Sequence, residues 1–127
     1  MNNYIAKRLE KLINSKEKII KEYDDKIKKL DEYINILNNC EIKNSDNFET
    51  IVYKLYMQLD NVSFVAKEIN KLGYRVITES WQGKRKYSSN DITFIITDNN
   101  ANVDEKLKEV VQEIQRVNYG KSSKRWF

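Results

Sequence analysis

Histidine and proline are absent from this chain of 127 residues, and glycine and cysteine are scarce, at three and one. Each shortage excludes something. With no histidine and a lone Cys40, neither a Cys/His zinc site nor a Ser-His or Cys-His nucleophilic pair can be assembled. A single cysteine permits no intramolecular disulfide, so a reducing compartment, the cytoplasm, is expected. The lack of proline and shortage of glycine disfavour a turn-rich β architecture and favour long helices. No apolar run approaches the ~20 residues that span a bilayer, and the N-terminus has no signal-peptide core, so no membrane partner is expected. Phosphate-binding glycine loops and the nucleophile elbow are missing too. Carboxylates fall beside Lys at helical ion-pair spacing, and Asp24-Asp25 reads as a surface pair on a long helix. The chain is therefore not expected to be an enzyme, and no cofactor or metal is implied.

What is present is a 40% hydrophobic, 33% charged chain with a net charge of +4, sized for one domain or a small domain with an appendage. From about residue 3 to 39 the apolar positions Ile5, Leu9, Leu12, Ile19, Ile20, Tyr23, Ile27, Leu30, Ile34 and Leu37 advance mostly by fours and threes. That is a coiled-coil seam, interrupted by Lys16 and by a four-residue slip near Ile20. A helix of about 35 residues is ~50 Å long, more than a small domain covers. Its apolar stripe is expected to pair with a second copy through Leu9, Leu12, Ile20, Tyr23, Ile27, Leu30, Ile34 and Leu37. Antiparallel fold-back onto the chain's own domain is the alternative.

Residues 40–47 read as a polar linker. Asp46 or Asn47 then caps a helix with Phe48, Ile51, Val52, Leu55, Tyr56 and Leu59 on a broad apolar face. Asn61 or Ser63 caps the next, with Val65, Ala66, Ile69 and Leu72 inward and Gly73 as its stop. A last amphipathic helix runs through Val103, Leu107, Val110, Val111, Ile114 and Val117, with Asn102 and Glu105 at capping-box spacing and Gly120 at its end. Between Gly73 and Asp98 periodicity does not arbitrate. Ser88 and Asp91 have capping-box spacing ahead of Ile92, Ile95 and Ile96, which predicts a helix; the β-branched content also allows "YRVITES" and "ITFIIT" to be the arms of a wing with the cations at its tip. The fold class expected is mainly α: a coiled-coil helix over 1–40, a helix-turn-helix domain over 41–120 with a winged form (hairpin at about 74–97) as the alternative, and a basic aromatic tail over 121–127.

Two short helices across a tight break, the second reading "SFVAKEINKLGYR", have a helix-turn-helix outline. Residues 55–97, about a third of the chain, resemble the helix-turn-helix segments of phage, plasmid and integrative-element proteins. These include the DNA-contacting part of the large serine recombinases. The resemblance rests on Val65, Ala66, Ile69, Asn70, Gly73, Tyr74 and Arg75, and again on Ser89, Ile92, Ile95 and Ile96. It implies a stand-alone DNA-binding module of a mobile genetic element, since a recombinase catalytic domain has no room here. Phe94 departs from the pattern, sitting where a recognition helix shows a polar residue.

Charge points the same way. From Lys71 to Tyr87 five cations face one acid, Glu79, and "GKRKYSSND" places Lys84-Arg85-Lys86 just before small hydroxyl and amide side chains. That is the composition of phosphate contacts. A double-stranded DNA interface is expected over Lys71, Arg75, Gln82, Lys84, Arg85, Lys86, Tyr87, Ser88, Ser89, Asn90 and Thr93. Phosphates fall to Lys84, Arg85, Lys86 and Tyr87, and bases to Ser89, Asn90 and Thr93 if 89–97 is the recognition helix. In the winged alternative, base contacts move to Lys67, Asn70 and Lys71, and Arg85 enters the minor groove. Trp81 is expected to pack, and Trp126-Phe127 to dock as a tail or engage a partner peptide. The rival reading is a phage-encoded protein-interaction factor that grips a host defence or replication enzyme through the same basic face.

Overall fold

A computed structural model describes residues 3–120; the tail expectations at Lys121, Lys124, Arg125, Trp126 and Phe127 lie outside the described residues. Five helices and one two-stranded antiparallel hairpin are present among them. The helices are α1 (Asn3–Asn38), α2 (Phe48–Leu59), α3 (Val62–Lys71), α4 (Ser89–Ile96) and α5 (Glu105–Asn118), and the strands are β1 (Val76–Ile77) and β2 (Lys84–Arg85). None of these helices is long and apolar enough to cross a membrane. The chain divides into two compact units between Asn35 and Ile36, so the last turn of α1 belongs with the second.

The first unit is helix alone. Every residue from Asn3 to Lys29 is exposed. Leu9, Leu12, Ile20, Tyr23, Ile27, Ile34 and Leu37 therefore show their apolar side chains to solvent, while Leu30 is half-buried.

The second unit is built around α2. Ile51 to Met57 are all buried, so this helix is enclosed on more than the one broad face its periodicity announced. It packs against α3, α4 and α5, and Val52, Tyr53 and Tyr56 meet Val65, Ile69, Ile92, Ile96, Val110, Val111 and Ile114 in the core. A helix enclosed by three others must satisfy its polar groups inside. The Tyr53 hydroxyl donates to Ile95 O at 3.1 Å, and Asn118 Nδ2 donates to the Tyr56 hydroxyl at 2.7 Å and to Asp60 Oδ1 at 2.8 Å.

Local signals set most boundaries. Asn47 caps α2 by accepting from Thr50 N–H, and Asn61 caps α3 by accepting from Phe64 N–H. Between them, Asp60 takes the left-handed conformation (φ 53°), which a short polar side chain tolerates, so α2 reverses into α3 within two residues. Gly73, at φ 95°, ends α3 as expected. Ser88 and Asp91 form the reciprocal capping box that opens α4, so 89–96 is helix and not the second arm of a wing.

Four expectations are corrected. The hairpin pairs Val76 with Arg85 and Ile77 with Lys84, so the cation run forms its second strand and not its tip. Helix α5 starts at Glu105 behind Asp104, which accepts from Leu107 N–H; the Asn102 backbone instead serves α2, receiving from Asn47 Nδ2 and donating to Glu49. Leu72 is exposed because α3 ends one residue before it. The stretch 40–47 has neither helix nor strand, as read from the sequence, and it is tied to α2: Cys40 is buried, and Lys54 Nζ reaches Asp46 Oδ2 at 2.7 Å and Glu41 O at 2.9 Å. Trp81 does not pack: at the corner of the Ser80–Gly83 turn, 94% of its surface is exposed.

Candidate nucleic-acid interface

The basic residues are scattered through the sequence from 67 to 86, and two devices gather them. The first is aromatic. Tyr74, just before β1, and Tyr87, just after β2, both lie on the Phe48 ring, with centroids 4.8 and 5.3 Å away. Both ends of the hairpin are thus fastened to the start of α2. The second is Asn70. Its Oδ1 accepts from Tyr87 N–H at 2.8 Å and its Nδ2 donates to Tyr87 O at 3.0 Å. One amide side chain thereby completes the hydrogen bonds of a backbone segment with no strand partner. Asn70 does not point outward; it is half-buried with its amide engaged by the Tyr87 backbone.

With the chain held this way, Lys67, Lys71 and Arg75 at the end of α3 and Lys86 after β2 line one shallow depression of about 480 Å³, floored by Asn70. Arg75 Nη1 donates to Asn70 O and Tyr74 O at 2.9 and 2.7 Å, laying its cation over the negative end of the α3 dipole. Lys71 has Glu68 3.6 Å away, a solvent-exposed pair of little energetic weight. Lys67 Nζ sits 5.7 Å from the Phe64 ring centroid. Ser63, Lys67 and Lys71, at helical i, i+4, i+8 spacing, form the exposed stripe of α3.

The residues expected to read bases from 89 onward are otherwise engaged. Ser89 Oγ lies 3.0 Å from Ser63 Oγ, and Thr93 Oγ1 donates to Ser89 O and lies 3.2 Å from the Tyr119 hydroxyl. Only Asn90 of that trio is exposed, on the face that also shows Phe94. The anion position at the α4 N-terminus is filled from within. Arg85 makes a fork to Asp91, Nη1 to Oδ2 at 2.6 Å and Nη2 to Oδ1 at 2.9 Å, and Ser88 donates both its N–H and its hydroxyl to the same carboxylate. The Arg85 guanidinium, followed by the Ser88 bonds, holds the Asp91 carboxyl well below the usual range against the opposing effect of burial. An external phosphate there would meet a carboxylate already on the amides. Arg85 and Ser88 are thereby committed to the cap, and Tyr87 is half-buried with its phenol pushed up by burial. Lys84 and Gln82 remain exposed on the hairpin.

The charges differ between the two segments that follow α2. Between Asn61 and Ser88 stand Lys67, Lys71, Arg75, Lys84, Arg85 and Lys86 against Glu68 and Glu79. Between Ser89 and Gly120 the acids Asp91, Asp98, Asp104, Glu105, Glu109 and Glu113 outnumber Lys106, Lys108 and Arg116. No group of acids, cysteine or histidine suited to a metal occurs among the described residues. No protein-family model, curated protein or solved structure matches the chain.

Proposed function

We propose that this chain is a sequence-specific double-stranded DNA-binding protein that presents α3 to the major groove and lays the β1–β2 hairpin along the backbone beside it. The observation that carries this reading is the basic depression. Lys67, Lys71, Arg75 and Lys86 come from either side of the hairpin and converge on one surface, and only Glu68 and Glu79 are acidic between Asn61 and Ser88. Cations set at the end of a helix with an exposed polar stripe suit phosphates flanking a groove in which that stripe lies. Base contact then falls to Lys67 and Lys71 on the exposed face of α3, since Ser63 and Ser89 share a hydrogen bond and Thr93 is engaged within the fold. Lys84, Lys86 and Arg75 supply backbone contacts. The exposed stripe of α1 pairs with that of a second copy, which brings two such surfaces to one site. The helix-turn-helix resemblance adds the setting of a mobile element, with the role of a regulator or an accessory factor for replication, partition or transfer.

The test is binding of random-sequence duplexes followed by fluorescence anisotropy. Affinity is expected to fall steeply between about 50 and 200 mM salt, as counterions released by phosphate contacts require. Selection of bound fragments from the random pool should then return a motif with repeated or inverted halves. A salt-independent signal, or tight capture of a protein partner with no duplex shifted, would move the chain to the protein-interaction reading.

A further inference from the structure

The hairpin ends in a feature that phosphate binding does not use. Gly83 N–H donates to Ser80 O at 2.9 Å, closing a tight turn in which Trp81 and Gln82 are the corner residues. Gly83 then takes φ 74°, a left-handed conformation in which it returns the chain to β2 and accepts from Thr78 N–H at 2.9 Å. Thr78 and Ser80 hydroxyls, 2.9 Å apart, brace the same turn. The turn thus holds Trp81 out at its apex, 94% exposed, and Ile77 on the arm below is 83% exposed. The cation run continues along the opposite arm: Ile77 pairs directly with Lys84, and Arg85 and Lys86 follow. An indole held in water forgoes the largest apolar burial any side chain can make, so a braced turn that keeps it there points to a partner surface.

Aromatic face and cations together match the two parts of a nucleotide: base and phosphate. The geometry points to Trp81 as a stacking platform for an unpaired nucleobase at the edge of the duplex seated on α3. An intact base step is a poorer match. Prying one open from a groove breaks base stacking and requires a wedge backed by packed neighbours, whereas Trp81 is almost fully exposed. An unpaired base offers its face at no such cost. Glu79, exposed in the same loop, disfavours a phosphate at the apex itself, leaving the phosphates to Lys84 and Lys86. The inference rests on the DNA-binding reading and narrows its substrate to duplexes that carry a single-stranded edge.

Three labelled DNAs test it: a blunt duplex, the same duplex with a short oligothymidine overhang, and the single strand alone. The wild-type chain is expected to favour the overhang duplex over the blunt one by about tenfold, the scale of one base–aromatic stack. Trp81→Ala should erase that preference, with blunt-duplex affinity and helicity unchanged, and Trp81→Phe should restore part of it. In a Trp126→Phe background, the remaining indole emission should be quenched by the overhang duplex and not by the blunt one. Blunt-duplex binding with no preference for the overhang, or an equal loss on all three DNAs in Trp81→Ala, overturns this inference and leaves the DNA-binding reading standing. No binding to any of the three overturns both.

Discussion

Asn70 and Tyr87 are 17 positions apart, yet the Asn70 amide stands in for a strand partner at Tyr87, and the position of Lys86 depends on it. Asn70→Ala would leave a half-buried N–H and C=O unpaired, and it is expected to cost about 2 kcal/mol in urea unfolding. Asn70→Asp, which keeps the acceptor but not the donor, should fall between the two. The Arg85–Asp91 fork makes a separate prediction about pH. Because the Asp91 pKa is lowered on folding, its contribution is present above the unfolded carboxyl value of about 3.9 and is lost as pH falls through the lower folded value. In acid unfolding curves, Asp91→Asn should be less stable than wild type near neutrality, and the gap should narrow steadily below about pH 4. A constant gap down to pH 2 would show that the ion pair contributes nothing through its charge.

At the scale of elements, α3 and the hairpin separate cations left on the surface from one held in a cap. Lys67→Ala with Lys86→Ala removes two charges from the depression without touching a cap, so duplex affinity should fall and the log–log salt slope should shrink by roughly 0.9 for each phosphate no longer neutralised. Arg85→Ala is expected to behave differently, lowering stability slightly through the α4 cap, with the salt slope nearly unchanged. A larger slope change in Arg85→Ala than in the lysine pair would reverse these assignments. The caps at Asn47, Asn61 and Ser88 and the stop at Gly73 were legible in the sequence because each acts within four residues of its partner. The hairpin register was not, because it depends on Tyr74 and Tyr87 meeting Phe48, 26 and 39 positions away.

For the whole molecule, the question is what covers α1. An exposed stripe from Ile5 to Leu37 along 36 residues of helix is long enough for a stable coiled-coil pair. Ile20 and Ile27 are about half exposed, so Ile20→Lys with Ile27→Lys should leave the second unit folded while halving the mass measured by light scattering. An unchanged mass would refute the seam. Leu30 is a poorer probe of the same question, being half-buried within the chain. If the pair forms, half-sites about one helical turn apart, ~34 Å, are expected in the selected DNA, and the lysine variants of α1 should lose affinity for the full site more than for a half-site.

The sequence by itself determined the helical class, the uninterrupted first helix, the caps of α2, α3 and α4 and the absence of Cys/His zinc or histidine-assisted nucleophilic chemistry, because propensity, local hydrogen bonds and missing residue types all act at short range. It also located the charge imbalance. Only the tertiary structure decided how that charge is used. Lys67, Lys71, Arg75 and Lys86 converge, Arg85 pairs with Asp91 in the α4 cap, and Trp81 is held in water because Phe48 and Asn70, remote in sequence, fix the two ends of the hairpin. A cation's neighbours along the chain say how much charge is present; which of its possible partners it meets depends on packing between segments that no local rule relates.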